Sequence, residues 1–173
     1  MRPPIVLVFF ISFLFYTASE VYADDAHSRS IATTSKARVI TPISLINTGA
    51  QGLDFGVIAI GTTTSKVVVS ASATVVANVT LGNAMVVTST PQKAAKFTVS
   101  GEAEKTYTIS LPTSSSILFG ANSLTVSNFT CSNGTNGSIG TDDLFYVGGE
   151  LTIPAGATPA IYQGTFSITV AYN

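Results

Sequence analysis

The chain carries one cysteine, one histidine and no tryptophan in 173 residues, and each scarcity removes a class of function. A single cysteine, Cys131, cannot form a disulfide within the chain, so any fold rests on packing and backbone ladders. One histidine, His27, and one cysteine cannot assemble a Ser-His-Asp set or a His/Cys metal cluster. His27 also sits in a polar stretch near the N-terminus, where nothing positions it as a general base. No catalysis, metal or cofactor is expected from this inventory. Charged residues make up 10% of the chain, against about 25% in ordinary soluble proteins. With 8 basic and 9 acidic side chains, there is no basic field to hold nucleic acid. Long apolar runs are scarce as well. The one at residues 5–16 is shorter than the roughly 20 residues of a membrane span.

That run follows Arg2 and leads to Val21-Tyr22-Ala23, which supplies the small residues of a cleavage site. Residues 1–23 therefore read as a secretory signal, removed on export, with the mature chain starting at Asp24 and holding no membrane span. The expected location is the periplasm, the cell surface or the medium. Residues 24–36 are polar and read as a flexible segment, and residues 37–173 as a single domain. That length buries a core of ordinary size.

Alternation is the dominant pattern in that domain, and no stretch keeps a helical period. It is clearest in residues 162–173. Tyr162, Gly164, Phe166, Ile168, Val170 and Tyr172 fall on one face, and Gln163, Thr165, Ser167, Thr169 and Ala171 on the other. Successive strand side chains point to opposite sides, so this reads as a half-buried strand ready to pair with a neighbour. Upstream, strands are expected at 37–46 (interrupted by Pro42), 53–58, 66–71 and 73–81. Phe97 and Val99, then Tyr107, Ile109 and Leu111, read as a hairpin around the charged turn at 102–105. A further strand covers 124–129, a long loop 133–140, and two short strands flank a bulge or bend at Gly148-Gly149. Short strands separated by Gly, Asn, Ser and Pro turns imply an antiparallel, all-β sandwich of immunoglobulin-like type. Phe97, Tyr107, Ile109, Leu151, Phe166, Ile168 and Val170 are its expected core. Asp142 and Asp143 after the Gly/Asn-rich turn read as a solvated loop, with weak calcium binding as the alternative.

The order of several short motifs is more specific than any one of them. Leu53-Asp54-Phe55-Gly56-Val57, residues 95–101 (AKFTVSG) and residues 107–111 (YTISL) come first. Residues 147–155 (VGGELTIPA), 162–166 (YQGTF) and 170–173 (VAYN) complete the set. Together they resemble the bacterial family called domain of unknown function 4402, from about Ala37 onward. More distantly the layout is similar to spore coat U and chaperone–usher pilin proteins, with Tyr172 in the place of their penultimate aromatic.

The resemblance implies an exported bacterial structural or adhesive protein, a fimbria-like subunit assembling by strand pairing through Tyr162, Gly164, Phe166, Ile168, Val170 and Tyr172. Its implied partners are copies of itself or related subunits, and a periplasmic chaperone. A donor arm for such pairing could be residues 24–35, although these offer only Ile31 as a large apolar residue. It could also be residues 37–45, in which case the domain begins at Leu53. The alternative function is a self-contained sandwich that binds a ligand or carbohydrate through loops such as 120–123 and 133–143.

Overall fold

Twelve short antiparallel strands account for the regular structure of the computed structural model, which describes residues 29–49, 52–141 and 143–173. The expected signal at 1–23, Asp24 to His27, and Asp142 lie outside the described residues. Residues 29–43 carry no regular element, so the strand expected from residue 37 is confined to β1, Ser44–Asn47. Pro42 explains the late start, because it has no N–H to give a ladder. β1 pairs with β6 (Ala95–Ser100), and Ile43 and Leu45 pack against the core, so the domain begins well before Leu53.

β6 also pairs with the first half of β11 (Leu144–Ile153), whose second half pairs with β3 (Ser65–Val69). β4 (Ala77–Leu81) continues beyond β3. Along its other edge β11 holds β9 (Asn122–Cys131), which holds β8 (Ser114–Phe119). The two strands expected around Gly148-Gly149 are thus one strand with a register shift between Gly148 and Glu150. A Cβ at Gly148 would run into the backbone of Val69, Ser70 and Ala71, so glycine there lets β3 take over from β6.

A second sheet has the order β10 (Asn136–Ser138), β7 (Thr106–Ser110), β12 (Thr169–Tyr172). Two-residue strands β2 (Ile58–Ala59) and β5 (Met85–Val86) pair with each other. The expected β6–β7 hairpin is instead an arch between sheets. Both edges of β6 are already occupied, by β1 and β11, so β7 crosses over and meets it through side chains. Val99, Tyr107 and Ile109 bury together with Ala95, Ile139, Phe145 and Val147 in the space between the sheets. Among the expected core residues, Tyr107, Ile109 and Leu151 are buried, whereas Phe97, Phe166, Ile168 and Val170 are half-buried.

A separate cluster lies along the second half of β11: Val67, Val69, Leu124, Val126, Leu151 and Ile153, with Phe55 and Ala94. The first cluster is roofed by a three-stranded sheet. The second is not, and that difference creates the candidate site.

Candidate functional site: a half-roofed groove

Two irregular segments lie over the second cluster, and between them runs a groove of about 1300 Å³. Its floor is the inner face of the large sheet, with Ile117, Leu124, Val126, Phe129, Leu151 and Ile153 among the lining residues. One wall is residues 52–58 with Ile60, tied to its neighbours by the Asp54–Lys93 bridge (2.8 and 2.9 Å), the Val87 N–H to Val57 carbonyl bond (2.9 Å) and the β2–β5 pair. The other wall is residues 157–166, tied to β8 by reciprocal Leu118–Gln163 bonds of 2.8 and 3.0 Å. Ser115 Oγ reinforces it by donating to the Thr165 carbonyl at 2.8 Å. Each wall is therefore a strand-like segment with a backbone partner on one side only, among the described residues. Its rims are apolar. Val57 is 51% exposed and Ile161 81%, which costs free energy in water unless something covers them. The charged side chain among the lining residues is Asp54, and its Oδ1 accepts the Gly56 N–H at 2.8 Å.

The six residues of the alternating C-terminal face divide at this point. Tyr162, Gly164 and Phe166 line the groove. Tyr162 donates its hydroxyl to the Thr158 carbonyl at 2.9 Å and packs on the second cluster. Gly164 lies so close to β8 that a Cβ would strike the Ser116 carbonyl, which is why the alternating face has a gap there. Phe166 packs on Phe129, with ring centroids 4.9 Å apart. Ile168, Val170 and Tyr172 belong to the first cluster, and Val170 and Tyr172 stand opposite Ile109 and Tyr107 in the β7 ladder. The continuous strand expected over 162–172 is thus a ladder at Thr169–Tyr172 and a single bridge at Gln163. The chain leaves β8 for β7 between them, and the ladder breaks while the facing alternation persists. No strand pairs with the outer edge of β12 among the described residues.

Tyr172 fastens the end of this arrangement. Its hydroxyl donates to the Thr41 carbonyl at 2.8 Å and accepts the Glu102 N–H at 2.7 Å, while Glu102 Oε2 accepts the Thr41 N–H at 3.2 Å. Gly101 is obligatory beside it, since a Cβ would meet the Tyr172 hydroxyl. Replacing Tyr172 with phenylalanine keeps the ring and removes both bonds, so stability should fall by roughly 1–2 kcal/mol at about 1 per bond. Urea unfolding of the two proteins measures this; an unchanged midpoint would mean that the hydroxyl ties nothing.

The loops considered for ligand binding are largely used up by structure. Asn122 and Ser123 belong to β9, leaving Gly120 and Ala121 as a tight hairpin turn, and residues 136–138 form β10 on the edge of β7. Asp143 Oδ1 accepts the Gly140 N–H at 2.7 Å and serves the turn. Cys131 is a free, half-buried thiol. Burial raises its pKa, and a bond with the Asn133 backbone opposes this more weakly, so the reactive thiolate is disfavoured. The groove itself could not be found by local pattern, since its lining spans Asn47 to Phe166 in sequence.

No curated protein and no solved structure matches the chain. A family model does, over residues 45–172, which takes in β1 from Leu45 on, β2 to β12, both groove walls and Tyr172. The chain belongs to the family described as Domain of unknown function (DUF4402).

Proposed function

We propose that this is an exported bacterial structural or adhesive subunit, fimbria-like in its chemistry, whose groove accepts an additional β-strand during surface assembly. The observation that carries the reading is the half-roofed second cluster. A strand laid between residues 52–60 and 157–166 would gain backbone bonds from the walls and place alternate side chains on an apolar floor. It would also cover Val57 and Ile161. A periplasmic chaperone would hold the groove closed before assembly for the same reason, because exposed strand edges and apolar rows aggregate. The near absence of His and Cys chemistry fits a structural role.

The test uses the exposed rim, so that the fold is not the variable. Val57→Asp combined with Ile161→Asp should leave the urea midpoint within about 0.5 kcal/mol of wild type, as surface changes do. The variant should then be exported but shift from the surface fraction to the soluble one. Equal surface retention of variant and wild type would defeat the reading.

A further inference from the structure

We propose that a second concavity, of about 480 Å³, binds a uronic-acid unit, a sugar ring carrying one carboxylate. None of its lining residues lines the groove, so it stands or falls apart from the strand-accepting reading. Its size lies within the range of about 300–1,000 Å³ usual for small-molecule sites. Lys96 on β6 and Tyr146 on β11 are direct ladder partners, and both alternate with inward-facing neighbours. Their side chains therefore rise together on the outer face of the large sheet. The Thr48 and Gly49 N–H groups donate to the Lys96 carbonyl at 3.0 and 3.3 Å, which fixes the base of that lysine. Gln92 and Lys93, just before β6, and Ser72 and Val75, between β3 and β4, complete the rim.

Charge points to an anion. Beyond residue 41 the chain has six acidic side chains and four basic ones, Lys66, Lys93, Lys96 and Lys105, with no arginine. Lys66 pairs with Glu150 at 2.7 Å, and Lys105 closes a turn that contains Glu102 and Glu104. The other two line this one concavity, and no acidic side chain among the described residues lines it. An anion between Lys93 and Lys96 relieves the repulsion of two like charges facing the same space.

The neighbouring groups call for more than a bare anion. The Tyr146 ring is half-buried and offers an aromatic surface beside the two lysines. Gln92 Nε2 donates to the Thr90 carbonyl at 3.0 Å, which holds Oε1 as a fixed acceptor. A phosphate would meet the ammonium groups and leave the Tyr146 ring and Val75 in water. A uronate meets both, with its carboxylate on the lysines and the C–H face of its ring on Tyr146. Its hydroxyls then find Ser72 Oγ and Gln92 Oε1. The partner so recognised is an acidic polysaccharide, held one sugar at a time.

The test is calorimetric titration of the exported chain at low salt, with sodium glucuronate, glucose and inorganic phosphate as separate probes. Glucuronate should bind saturably, and glucose and phosphate at least about tenfold more weakly. Lys96→Gln and Lys93→Gln should each weaken glucuronate by about tenfold or more, the loss expected for one charge-assisted bond. Lys105→Gln, a cation removed outside the concavity, should leave binding unchanged. Urea midpoints of the three variants should match wild type. Phosphate binding as tightly as glucuronate would overturn the sugar, and glucose binding as tightly would overturn the carboxylate contact. No saturable glucuronate binding, or an equal loss in Lys105→Gln, would overturn the site itself. None of these results bears on the groove.

Discussion

Replacing Phe145 with alanine should lower the unfolding free energy by about 3–5 kcal/mol, the range for emptying a large aromatic site in a core. Phe145 is fully buried on β11, stands opposite Phe97 in the β6 ladder, and stacks with it at 5.4 Å between centroids. The site has little freedom to collapse. β11 is held by β6 at this point and by β9 only two residues further on, so the backbone cannot sink into the cavity. Most of the lost contact therefore remains lost, which is the condition for a cost at the high end. Phe166→Ala should cost less, because Phe166 is half-buried and leans on Phe129 at the groove wall. Urea unfolding of both variants checks the order. A Phe145→Ala midpoint shift worth less than about 1 kcal/mol would mean that the space between the sheets is not the core of this domain.

A lysine at Ile168 should abolish soluble export, whereas a lysine at the next residue, Thr169, should be tolerated. Ile168 packs against the first cluster just before the β12 ladder, and Thr169 is exposed. An ammonium placed on the inner face would stand among the apolar side chains of that cluster. It must be desolvated or must push the chain off β7. Either outcome exposes the apolar row that β12 and its approach now hide, and such rows aggregate. At Thr169 the same charge stays in water. Fractionation of cells expressing each variant reads the result, and equal export of both would mean that the inward face of this segment does not matter to folding or passage.

The sequence shows which residues face inward more clearly than it shows which strands pair. Alternation at Phe166, Ile168, Val170 and Tyr172 correctly marks the inner face. It carries no information on whether the backbone beside those residues bonds to β8, to β7 or to nothing, so the ladder is shorter than the pattern. Hairpin and arch look alike for the same reason. Val99 and Tyr107 have apolar spacing around a short turn in either case, and only the occupation of both β6 edges decides between them. β8 escapes notice because its first half is Ser114-Ser115-Ser116 and, away from β9, its backbone partner is the isolated bridge at Gln163. Gly148-Gly149 is legible as an irregularity, since a missing side chain has a direct steric meaning, but it is the register shift of one continuous strand and does not separate two. The groove walls come from segments a hundred residues apart and have no shared periodicity, so only their arrangement in space reveals the site.

Amide hydrogen exchange, measured on the monomeric and assembled forms, tests the central claim most directly. If the groove takes a strand, those amides of residues 55–60 and 159–166 that carry no bond in the monomer, which leaves out Gly56 and Gln163, should exchange quickly there and become strongly protected on assembly. Those of β3, β9 and β11 should be protected in both forms, because their edges are already paired. Protection of both walls in the monomer, or assembly that leaves their exchange unchanged, would show that the groove is not where the subunit is completed.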